Sequence, residues 1–186
     1  LDRACQGTRT MIARGWLLPA LGLGLAALLV TTVSSEPTVL VAQGETTPVE
    51  SAGDAADDSA IWFNASHPGD SRVLGTDKQR GLEVYDLKGQ RVQSLPVGRL
   101  NNIDLRQGVP MQGRHRDLAV ATHRDEGGLM VFEIGRDGRV VPVGLARMEL
   151  EKIYGTCLYR HGDELHVFTN TMDGRYQHHR LELADA

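Results

Sequence analysis

A basic surplus, cysteine and aromatic residues are all scarce in this chain, and each shortage excludes a class of function. Of 186 residues, 20 are Lys or Arg and 24 are Asp or Glu, for a formal net charge of −4. No cationic excess is available to neutralise a phosphodiester backbone, so nucleic acid is not expected as a partner. The two cysteines are Cys5 and Cys157. They supply neither a disulfide framework nor a Cys-rich zinc site, and Cys157, inside an apolar stretch, is expected in the core. Only three Phe, two Trp and four Tyr are present. The longest apolar run, Leu17 to Val30, has 14 residues, short of the roughly 20 that span a bilayer as a helix. P-loop, dinucleotide-binding and nucleophile-elbow motifs are lacking as well.

What is present begins with a leader pattern. From Met11 the chain reads MIARGW, then the apolar run, then TTVSSEP, the layout of a signal peptide over residues 11–35, with Val33 and Ser35 suited to positions −3 and −1 of a cleavage site. An uncleaved N-terminal anchor is the alternative. Residues 1–10 read as translation from upstream of the true start, and residues 36–56, rich in Thr, Ser, Glu, Pro, Ala and Gly, as a flexible arm. The expected location is secreted or periplasmic, with no stable membrane association after signal cleavage.

Glycine is abundant, at 21 residues, and beyond the arm short period-two strands alternate with Gly and Asp-Gly turns. GLEVYDLKGQRVQSLPVG starts at Gly81, GLMVFEIGRDGRVVPVG at Gly128, and a weaker copy, RYQHHRLEL, at Arg175. The offset is about 47 residues each time. SRVLGTDK, RDLAVATH and DELHVFTN precede the three copies. The first unit reads as strands over 60–64, 72–76, 82–87 and 91–96. Four strands per 40 to 50 residues is the period of a β-propeller blade. The expected fold is therefore all-β, with about three blades over 57–186, the third lacking its last strand. Because closure needs four to eight blades, the chain is expected to be the N-terminal part of a longer propeller. A complete β-sandwich is the alternative, and the repeat argues against it.

Candidate chemistry lies at one end of each unit. Asp54, Asp57 and Asp58 precede an apolar strand, and Asn101, Asn102 and Asp104 stand at the corresponding place one unit later. They are either hard oxygen ligands for calcium or Asx-turn residues. Lys78 and Arg124 follow the second strand of units one and two, almost one period apart. Equivalent positions on successive blades share a rim, so the two cations are expected to converge on an anion, with Arg99 or Arg106 nearby. Solvated loop cations are the alternative. His178 and His179 are adjacent on a strand and point to opposite faces, which rules out a shared metal. Asn64-Ala65-Ser66 is a glycosylation sequon.

Four segments together resemble the β-propeller phytases, the Bacillus-type alkaline 3-phytases: residues 57–90, 98–106 (GRLNNIDLR), 121–128 (ATHRDEGG) and 154–160 (YGTCLYR). The resemblance implies a six-bladed propeller. It also implies calcium-dependent (Ca2+) hydrolysis of phosphate monoesters of myo-inositol hexakisphosphate, bound as calcium phytate, by metal-activated water without a phosphoenzyme. By the same resemblance Asp58, the carbonyl of Ser59 and the carbonyl of Ile103 are calcium ligands. Lys78, Arg124 and Tyr154 contact substrate phosphate, and Asp173 matches an acidic substrate-binding position. Ser59 replaces a usual Pro, Gln79 a frequent Lys, and Met172 a phosphate-binding Lys. The remaining calcium-binding carboxylates are expected beyond Ala186. A calcium-stabilised propeller that binds a phosphorylated ligand or a protein without turnover is the competing reading.

Overall fold

The computed structural model describes residues 39–148 and 150–183, nearly all of them in the second of the chain's two units, Val41–Ala186. The leader and the upstream decapeptide lie outside the described residues.

Among the described residues, eleven strands build three separate antiparallel meanders. The first sheet holds β1 (Ala56–Trp62), β2 (Arg72–Asp77), β3 (Gly81–Tyr85) and β4 (Arg91–Leu95) in that order. The second holds β5 (Leu100–Met111), β6 (Arg114–His123), β7 (Gly128–Ile134) and β8 (Val140–Arg147). The third holds β9 (Ile153–His161), β10 (Glu164–Thr171) and β11 (Tyr176–Leu181). Among the described residues the one helical element is a 3-10 turn at Pro68–Asp70. The all-β blade pattern is thus observed, including the three-stranded third unit.

Strand alternation explains the stacking. On β6, Ala119 and Ala121 enter a core with Trp62, Leu74, Leu82, Val84, Phe132 and Ile134. Their neighbours Leu118 and Val120 enter a second core with Ile153, Leu158, Leu165, Val167 and Leu181. Successive side chains point to opposite faces, so the middle sheet is buried on both. Each large side chain such as Phe132 contributes about 1.5–3 kcal/mol. Two cores between three successive sheets are the packing of stacked blades, not of a two-layer sandwich.

Carboxylates on the leading strands staple sheet to sheet. Asp58 Oδ1 accepts the Ser59 amide (2.8 Å), while Oδ2 accepts the Ile103 amide (3.1 Å) and Asn102 Nδ2 (3.0 Å) on β5. Asp104 repeats the device one sheet later. Its Oδ1 accepts the Leu105 amide (2.7 Å) and its Oδ2 the Leu158 amide (2.7 Å) on β9. Asp117 adds a third link, accepting Trp62 Nε1 at 2.7 Å.

Three expectations change. The segment read as a flexible arm up to residue 56 is bonded to the first sheet from Thr47 onward. The Thr47 amide donates to Gly89 O (2.7 Å), Glu50 pairs with Arg91 (3.0 Å) and Arg80, and Gln79 Nε2 donates to Ala52 O (2.8 Å). The reason is the polar outer face of that sheet, where Glu83, 1% exposed, meets Arg91. Asn101, Asn102 and Asp104 lie within β5 and not in an Asx-turn. Cys157 is exposed: its neighbour Leu158 fills the second core, so alternation turns the thiol to the outer face of the third sheet.

Candidate anion-binding site

The turns that follow the second strand of each sheet form one rim. Lys78, Arg124 and Met172 are the first residues after β2, β6 and β10, and all three are held by the same bond. The Lys78 amide donates to Ala55 O (2.8 Å), the Arg124 amide to Arg99 O (2.9 Å) and the Met172 amide to Lys152 O (3.0 Å). In each case the acceptor is the residue just before the leading strand of that sheet. This repeated closure places the three side chains at equivalent points, as the 46- and 48-residue spacings require.

Lys78 and Arg124 line one open cleft of about 540 Å³ with Gln79, Arg99 and Asp54. The expected convergence is present, and of the two neighbouring arginines it is Arg99 that joins. Arg106 goes elsewhere, to Asp104 (2.8 Å) and the carbonyl of Leu158. Within the cleft the cations differ in availability. Lys78 Nζ is 2.7 Å from Asp54 and 3.3 Å from Asp57. The hydrogen bond that the ammonium donates to Asp54, with Asp57 adding to it, holds Lys78 above the ordinary lysine pKa. The Arg124 guanidinium has no hydrogen bond or ion pair among the described residues. Arg124 is thus a half-buried arginine that lines the cleft with no carboxylate partner among the described residues, and a guanidinium fork is the side chain best matched to carboxylate or phosphate oxygens.

The other sequence candidates lie outside that cleft. Tyr154, at the start of β9, is half exposed, and its carbonyl accepts Thr122 Oγ1 (2.8 Å) and Asn101 Nδ2 (3.3 Å). Asp173, in the β10–β11 turn, is held by Thr171 Oγ1 and by Arg175 (3.2 Å); these partners, Thr171 first, keep its carboxyl below the usual range. Met172 is 61% exposed on the same turn, at the rim position where the first two sheets carry cations. The structure brings Asp58 and Ile103 together, with Ser59 beside them, but Asp58 Oδ2 already faces two N–H donors. Among the described residues no group of three or more His, Cys, Asp or Glu is arranged to hold a metal. One carboxylate is far short of the six to eight oxygens calcium takes, so the described residues do not complete a calcium shell. Sequence reasoning missed the pairing of Asp54 with Lys78, because it weighed the acidic run as metal ligands or turn residues and not as an ion-pair partner. The opposite charge of the two segments, three carboxylates in GDAADD against a cationic excess in GTDKQR, was the available signal.

Stacked antiparallel sheets of three and four strands, with a cationic cleft at one rim, define an all-β protein of blade-like units. Comparison with known proteins narrows the class. The family model described as Phytase matches residues 9–185, and the 3-phytase of Bacillus subtilis (strain 168) is 36% identical over 154 residues. The chain belongs to the phytase family. That alignment covers 78% of this chain and 40% of the Bacillus protein, so the chain spans less than half the length of this relative.

Proposed function

We propose that this chain supplies the phosphate-binding rim of a phytase that hydrolyses phosphate monoesters of myo-inositol hexakisphosphate. The observation that carries the reading is the meeting of Lys78 and Arg124, from different sheets, in one cleft. Family membership supports the substrate class. In this proposal Arg124 binds phosphoryl oxygens through its guanidinium fork, and Lys78 joins once the incoming anion displaces Asp54. Both cations offset charge that grows on the phosphoryl oxygens as the ester bond breaks. Tyr154 and Asp173 belong to the proposal as substrate contacts from the third sheet. Calcium is proposed as the cofactor, with Asp58 and the carbonyls of Ser59 and Ile103 as this chain's share of its ligands. When bound it would supply charge neutralisation and an activated water. Export to the periplasm or the medium is part of the same proposal.

The test is kinetic, in the full-length enzyme that carries this segment. Arg124→Ala should lower kcat/KM on phytate by about a hundredfold, as loss of a charge-assisted contact to developing charge does. Arg136→Ala is the control: Arg136 is exposed in the turn between β7 and β8, at the opposite end of the sheet from the β6–β7 turn. Equal, mild effects of the two substitutions would refute the reading and favour a non-catalytic binding module.

A further inference from the structure

We infer that Arg99 is a third anion-binding residue of the cleft, and the one that bridges the two sheets forming it. The inference rests on the phosphate-binding reading of Lys78 and Arg124 and adds a residue that neither that reading nor the family resemblance assigns. Arg99 stands just before β5. Its carbonyl accepts the Arg124 amide (2.9 Å), and its Nε donates across to the carbonyl of Lys78 (3.4 Å). One residue thus touches the backbone of both cation-bearing turns. Its own amide is fixed by Asp125 Oδ2 (3.1 Å). The approach is tight: Gly98 has φ +101°, and a Cβ there would lie 2.6 Å from His123 Nε2, which itself sits 2.8 Å from Val97 O.

The guanidinium has donors to spare. Of its five N–H groups, Nε is used on Lys78 O. Nη1 is 3.6 Å from Asp125 Oδ1, beyond hydrogen-bond length, and Nη2 has no partner among the described residues. The group is half exposed and lines the cleft with Lys78 and Arg124. The corresponding residue of the first sheet, Ala55, is uncharged, and that of the third, Lys152, lines the neighbouring cleft on the other side of Arg124, away from Lys78. Arg99 therefore combines a fixed backbone, a planar guanidinium whose Nη2 has no partner among the described residues and whose Nη1 is only loosely paired with Asp125, and a place between two cations, which suits recognition of a phosphoryl group.

The experiment is calorimetric titration of the 186-residue chain with myo-inositol hexakisphosphate, with melting temperature recorded for every variant. Arg99→Ala should weaken binding about tenfold or more. Arg99→Lys, which keeps the charge and loses the fork, should recover part of the affinity. Arg99→Gln, which can still hydrogen-bond to Lys78 O but carries no charge, should bind as poorly as Arg99→Ala. Rescue by Gln as complete as by Lys would overturn the inference, because it would make Arg99 a purely structural bridge. Wild-type affinity in Arg99→Ala, beside weakened Lys78→Ala and Arg124→Ala, would overturn it and leave the phosphate reading standing. Wild-type affinity in all three would overturn both.

Discussion

Replacing Asp58 with Ala separates a staple from a metal ligand. In the structure its carboxylate accepts the amides of Ser59 and Ile103 and the side-chain amide of Asn102. Ser59 is exposed, so its N–H passes to water at little cost. Ile103 is 3% exposed, and its orphaned amide costs about 1–3 kcal/mol, with half-buried Asn102 adding up to about 1 kcal/mol. The sum, roughly 1–4 kcal/mol, corresponds to a fall in Tm of about 2–16 °C for a domain of this size. Asp58→Asn is not a full remedy, because one face of its amide turns donors toward donors. The assay is thermal unfolding in EDTA and again in saturating calcium. The account expects the fall in EDTA, where no metal can take part, together with a smaller calcium-induced rise in the mutant than in wild type, since a ligand bound only to the folded state stabilises by RT ln(1 + [L]/Kd). An unchanged Tm in EDTA would refute the staple, and an undiminished calcium response would remove Asp58 from the proposed ligands.

Further tests address the rim and acid stability. Asp54→Asn should release Lys78, return its pKa toward the ordinary lysine value and tighten phytate binding severalfold in a calorimetric titration; weaker binding would show that Asp54 helps the anion and does not compete with it. His179 has its pKa lowered, chiefly by burial and then by His178. The unfolded chain therefore holds that proton more tightly, and stability should drop as pH falls below about 6.5. His179→Gln should flatten that part of a Tm-against-pH curve, and an identical slope in the mutant would contradict the assignment.

Much of the architecture was legible because a blade is a period. The copies starting at Gly81, Gly128 and Arg175 fall on β3, β7 and the start of β11, and the same period predicted where Lys78 and Arg124 would meet. The misses have local causes. Strand β1 begins at Ala56 instead of residue 60, because the acidic run looked like a loop while its Asp58 was serving the neighbouring sheet. Strands β5 and β6 extend to Met111 and from Arg114, through QGVPMQGRH, where Gly and Pro signal a break. Pro110 is tolerated because β5 is an edge strand, and the Gln112–Gly113 turn takes φ of 52° and 73°, the conformation that a tight hairpin needs. Contacts such as Asp104 with Leu158, or Asp54 with Lys78, join residues 54 and 24 positions apart. The first depends on how sheets stack, which no local pattern encodes, and the second on the antiparallel pairing of β1 with β2, which sets Asp54 beside the turn after β2.

The central claim, that the Lys78–Arg124 cleft receives a phosphoryl group, is tested most directly by a crystal structure of the chain with myo-inositol hexakisphosphate. The account predicts a phosphoryl group within hydrogen-bond distance of Arg124 and of Lys78 Nζ, with Asp54 displaced from its 2.7 Å contact. Ligand bound elsewhere, with Lys78 still paired to Asp54 and Arg124 untouched, would contradict it.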